Sequence, residues 1–239
     1  MVRLGDLHID VVRKDIKHIH LSVHPPAGRV RIAAPRPVSD EAIRAFAVGK
    51  LPWIRRQVVK FQAQERELPR DYVDRETHYV WGRRYLLHVV ERSAAPSVEL
   101  QAGRLTLYVR PNTGKVRRAE VVDAWYRQEL RLASSRLAAR WQKRLGVDLR
   151  AIHVQRMRTR WGSCNPAAGS IRLNTELAKK PRACLEYIVV HELMHLLEPT
   201  HNARFVWLLD QWLPGWEQRR AMLNRLPLQP PPSSEEVTP

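Results

Sequence analysis

Residues 181–201 read PRACLEYIVVHELMHLLEPTH. Pro181 opens a predicted helix that runs through Val190 and His195 towards Leu197. Pro199 stops it, because a proline disfavours helical backbone at the residue before it. The run Tyr187, Ile188, Val189, Val190 is apolar, as expected of a buried helix. It leads into His191-Glu192-Leu193-Met194-His195, which fits the pattern H-E-x-x-H. Residues four apart share one face of a helix, so both imidazoles can meet one ion. Such nitrogens commonly hold zinc. Glu192, beside the first ligand, is placed to take a proton from a water that the metal activates. A catalytic zinc site needs a third protein ligand. His201 is expected to supply it, since the turn after Pro199 can bring it back. Glu198 is the weaker candidate for that place. The spacing H-E-x-x-H-x5-H equals that of metzincins, whose pattern has glycine where this chain has Glu198, so the chain is not read as one of them.

Upstream of this segment, Lys115 to Leu145 reads as one long amphipathic helix, with Val122, Tyr126, Ala133, Leu137 and Trp141 near a 3.6-residue period and Gly146 as its C-cap. Strands are predicted for Ile152–Met157 and Ser170–Leu173, and further helices for Ala203–Leu213 and after Pro214. The first half is β-rich: a hairpin of Ile16–Val23 and Arg29–Ala34, then strands near 77–80, 84–90, 98–100 and 104–109. Two helices interrupt it, at about 40–48 after the cap Ser39 and at about 52–67. The expected fold is therefore α+β. A β-rich region spans 1–112, a metal-binding domain with a small sheet and an active-site helix spans 113–226, and a Pro-, Ser- and Glu-rich disordered tail spans 227–239.

The chain has 239 residues, 44% hydrophobic and 27% charged, which is a globular composition. No stretch approaches the ~18 consecutive apolar residues that span a bilayer, and the start offers no apolar signal region, so a cytoplasmic protein without membrane attachment is expected. Cys164 and Cys184 exclude a disulfide framework and a four-cysteine metal site; two free thiols are expected. The net charge is +17. Residues 116–160 carry twelve Lys and Arg against four Asp and Glu, whereas 161–239 are balanced at eight each. That excess points to an anionic partner, nucleic acid among them, or to a solvated Arg-rich surface.

Arg158-Thr159-Arg160-Trp161-Gly162-Ser163-Cys164, then Ile171-Arg172-Leu173-Asn174, Leu177 and Pro181, and then the H-E-L-M-H helix with His201-Asn202 and Phe205, resemble the YgjP-like metallopeptidase family. So do Val30-Arg31-Ile32-Ala33-Ala34-Pro35 and Lys50 followed by Trp53-Ile54. The family is a zincin-type relative of the SprT-like and WLM proteases. The resemblance implies a zincin-like core, one zinc ion on His191, His195 and His201, and catalytic Glu192.

Among the flanking residues, Arg158 and Arg160 share one face of a predicted strand and are candidates to grip a phosphate or a peptide carboxylate. Asn174 is a candidate to orient substrate or backbone. Trp161 is read as core and Gly162 as a turn. Ser163 and Cys164 are read as structural, and Phe205, Trp207 and Trp212 as packing residues. The function expected first is a zinc peptidase acting on peptide or protein, whose substrate adds to the sheet near Ile171. A metal-dependent nucleoside triphosphate pyrophosphatase of UTP type, associated with the family, and a DNA-associated protease are the alternatives.

Overall fold

A computed structural model of the chain describes residues 2–24, 28–63, 70–157 and 160–225. The fold is α+β, with a β-rich N-terminal region, as expected. The chain separates into two compact units whose break falls between Leu68 and Pro69. The expected boundary after 112 is thus misplaced. Val80, Leu87, Leu105, Leu107 and Val109, on the strands before it, share one buried core with the residues after it.

In the first unit, β1 (Val2–Leu4), β2 (Leu7–Lys14), β3 (His20–His24) and β4 (Arg29–Pro35) form one sheet in the order β1-β2-β4-β3. The expected hairpin is present, with Val23 opposite Val30, but β4 also pairs in parallel with β2, which was not expected. Helices α1 (Asp40–Gly49) and α2 (Leu51–Ala63) follow. Ser39 caps α1 by accepting from Ala42 N–H at 3.2 Å. Ile9, Val30, Ile32, Ala34, Ile43, Ala47 and Ile54 make the core. The continuation of α2 to Glu67, the Pro25-Pro26-Ala27 turn and the tail 227–239 lie outside the described residues.

The second unit carries the H-E-x-x-H segment. Strands β5 (Thr77–Val80), β6 (Arg83–Glu91), β7 (Ser97–Gln101) and β8 (Arg104–Val109) form a sheet in the order β5-β6-β8-β7, with β6 and β8 parallel. The long helix α3 (Lys115–Leu145) is as predicted, and it buries Val122, Tyr126, Leu130, Ala138, Trp141 and Leu145. Gly146 closes it at φ 65°, a left-handed position that favours glycine. A second sheet, β10-β11-β9, is built from β9 (Ala151–Gln155), β10 (Gly162–Asn165) and β11 (Ser170–Asn174). A 3-10 turn (Thr175–Lys179) leads into α4 (Arg182–Met194). The β5–β6 turn is tied to that lead-in, because Trp81 N–H donates to Ala178 O at 2.8 Å and Gly82 N–H to Lys179 O at 3.1 Å. Gly82 sits at φ 80°, and a Cβ there would stand 2.8 Å from Pro181 Cγ. The start of α4 is thus held against the first sheet. Helices α5 (Ala203–Trp212) and α6 (Trp216–Arg225) complete the unit. No helix among the described residues is long and apolar enough to cross a membrane.

Candidate metal centre

Nine residues of α4, from Cys184 to Met194, are buried, so its last turn is fixed by packing rather than by helix propensity. The helix stops at Met194, one turn earlier than predicted, but His195 keeps helical backbone at φ −66°. His191 and His195 therefore stay on one face. The chain then reverses: Leu197 and Glu198 N–H both donate to Met194 O, at 2.9 and 2.8 Å. The Glu198 carboxylate accepts from Thr200 N–H at 3.2 Å and from the Thr200 hydroxyl at 2.9 Å. Glu198 thereby braces the turn and stands outside the histidine cluster. Asn202 caps α5 by accepting from Phe205 N–H at 3.0 Å.

The result is a cluster of one nitrogen from each of His191, His195 and His201, all within 4.8 Å of one another. The Nε2 atoms of His191 and His201 are 3.0 Å apart. His195 Nδ1–H is placed to donate to Glu198 O at 3.2 Å, which leaves its Nε2 lone pair available. His191 Nδ1 is buried without a hydrogen-bond partner among the described residues. Burial first, and then the neighbouring imidazoles and Arg220, hold the His191 pKa down at about 3; burial likewise lowers that of His195. Neutral imidazoles with converging lone pairs are what a cation requires. The donor set fits a divalent metal on His191, His195 and His201. The Phe205 ring forms an apolar floor beneath it, 5.0, 4.7 and 4.7 Å from the three imidazole centroids.

Glu192 follows the first histidine and is 5% exposed. Burial pushes its carboxyl up to about 8, and the Arg160 guanidinium pulls in the opposite direction. Its side chain lies against β10 at Gly162. Gly162 is therefore a strand residue paired with Leu173, not the turn expected from sequence.

The model of the family described as YgjP-like, metallopeptidase domain, matches residues 17–226. The chain belongs to the YgjP-like metallopeptidase family. Among solved structures, the metallopeptidase zymogen of Pyrococcus abyssi abylysin is similar at 21% identity and a TM-score of 0.35, over 40% of this chain and 99% of that one. No curated protein matches.

The flanking residues of this YgjP-like chain meet expectation in part. All of the Asn174 amide is used on backbone. Nδ2 donates to Met157 O and Arg160 O, both at 2.9 Å, while Oδ1 accepts from Met157 N–H at 3.4 Å and Glu176 N–H at 3.2 Å. Asn174 clamps the segment that leads into β10, the backbone alternative of the two expected for it. Arg160 is exposed and acts electrostatically on Glu192; Arg158 lies outside the described residues. Cys164 is half-buried on β10, and burial raises its thiol to about 11, with Glu192 adding to the shift. A thiol held protonated is a poor nucleophile, in keeping with a structural reading. Phe205 and Trp212 pack as expected, but Trp207 is 58% exposed. Two positions from Phe205 it falls on the other side of α5.

Proposed function

We propose that the protein is a zinc-dependent peptidase that cleaves peptide bonds by general-base attack of water, with His191, His195 and His201 as ligands and Glu192 as the base. The observation that carries this is the three-imidazole cluster with Glu192 one residue from a ligand on the same helix. When bound there, a divalent cation would polarise a scissile carbonyl, acidify water and favour the carboxylate form of Glu192. The Glu192 carboxylate accepts a proton from the attacking water, whose oxygen forms the new bond to the carbonyl carbon. The same carboxyl then returns the proton to the amide nitrogen as the C–N bond breaks. The burial of Glu192 excludes bulk water from this exchange.

The sheet order supports an extended substrate. Strand β11, which contains Ile171, is flanked by β10 and β9 and has no edge to offer, so pairing beside Ile171 is excluded. Among the described residues β10 has β11 as its one neighbour, and it is β10 that touches Glu192. A peptide added to β10 would pass the general base. Arg160 is exposed and close enough to act on Glu192, which supports its expected part in holding substrate. The family match supports neither the nucleotide pyrophosphatase nor the DNA-associated alternative.

The test is elemental analysis of the purified chain together with cleavage of unfolded protein and a peptide library. One zinc per chain is expected, with cleavage abolished in Glu192→Gln while zinc is retained. Zinc-loaded protein that cleaves no peptide, or a Glu192→Gln variant as active as wild type, would overturn the reading.

A further inference from the structure

We propose that Gly162 is a positioning residue for the reaction: the bare backbone at the start of β10 is the space in which the Glu192 carboxylate stands. This rests on the part assigned to Glu192 above.

Backbone conformation does not demand glycine at this position. Gly162 is absent from the positive-φ residues, which include Gly82 and Gly146, and it pairs in regular antiparallel register with Leu173. The demand comes from across the interface with α4. A Cβ on residue 162 would stand 2.5 Å from Glu192 Oε1, 2.9 Å from Glu192 Cγ and 2.9 Å from Ile188 Cγ2. Residues 188 and 192 are one helical turn apart, so one face of α4 meets the strand at two successive levels. Carbon and oxygen atoms do not approach so closely without something shifting. Ile188 is 6% exposed and held in the core, so it yields little. The carboxylate is at the end of a side chain with three rotatable bonds, and it is the group that moves. A single methyl at 162 therefore displaces the base, while none of the three imidazoles is among the atoms it would stand nearest.

The experiment pairs Gly162→Ala with Glu192→Ala in a double-mutant cycle, read by urea unfolding of the zinc-loaded full chain, by zinc affinity from competition and by peptide cleavage. Gly162→Ala is expected to lower kcat on the order of 100-fold, the scale of a misplaced general base, with KM little changed. Zinc affinity is expected to change by less than the ~10-fold that loss of a ligand-orienting group costs. In the Glu192→Ala background, where Oε1 and Cγ are gone, Gly162→Ala is expected to shift the urea midpoint less than in wild type, and to cost no further activity. Equal midpoint shifts in both backgrounds, or a Gly162→Ala enzyme with wild-type kcat, would overturn the inference. Should the wild type cleave no peptide, the peptidase reading fails on its own, while the urea cycle still decides whether residue 162 sets the place of Glu192.

Discussion

Replacing Asn174 by alanine separates a backbone clamp from a substrate contact. The side chain is 5% exposed and makes four hydrogen bonds, all to main-chain atoms. A net hydrogen bond is worth about 1 kcal/mol in a folded protein. The two donated by Nδ2 at 2.9 Å count in full, and the two accepted at 3.2 and 3.4 Å count for less. Asn174→Ala should therefore cost about 2–3 kcal/mol, moderated because Met157 and Arg160 are reachable by water. Asn174→Asp should cost more at neutral pH, since a carboxylate would then face two carbonyl oxygens where the amide had donated. Urea unfolding followed by tryptophan fluorescence is the assay. Seven of the eight tryptophans, all but Trp53, lie in residues 69–226, so the signal reports the unit that holds Asn174. The urea midpoint should fall with an unchanged slope. Cleavage should weaken as well, because the clamped segment carries Arg160 and feeds β10. A stability loss below about 0.5 kcal/mol accompanied by a raised KM would refute the reasoning and return Asn174 to the substrate.

Two further outcomes are expected. His78 is fully buried, and among the described residues neither ring nitrogen has a hydrogen-bond partner; burial first, then Arg70 and Lys179, depress its pKa to about 3, while the Glu76 carboxylate at 4.0 Å is beyond hydrogen-bonding reach. The folded state thus refuses a proton that the unfolded state accepts below pH ~6.5. Its contribution is complete above that pH and is lost at up to ~1.4 kcal/mol per pH unit towards pH 3. His78→Leu should flatten the stability profile in that window relative to wild type, and parallel profiles would contradict this. Phe205, 2% exposed under the three imidazoles, should cost about 3–5 kcal/mol when cut to alanine and weaken zinc binding; a variant that keeps zinc affinity in a competition titration would show that the apolar floor does not hold the ligands.

What sequence reveals here depends on whether a residue acts along its own element or across to another. The α3 stripe, the Gly146 cap and the spacing of His191, His195 and His201 are local patterns, and each survives in the structure. The strand β2 carried a local pattern too, Leu7, Ile9 and Val11 alternating with His8 and Asp10, although no strand was expected there. Its parallel pairing with β4 is long-range and left no local mark. The unit boundary was misjudged for the same reason: a change from strands to helices at 112 looks like a domain border, yet burial joins β8 to α3 in one core. Strand β10 is four residues with glycine and serine at its head and no apolar alternation, so Gly162 reads as a turn until α4 is laid against it. His78 did carry a signal, because it shares the inward parity of β5 with Val80, an unusual place for an imidazole. Asn174 ahead of Thr175-Glu176 carried another, the Asx pattern that starts a turn. The three imidazoles of the candidate metal centre are thus written in one helix and the turn after it. The groups that hold Glu192 and the segment before β10 in place come from strands that only tertiary packing brings alongside.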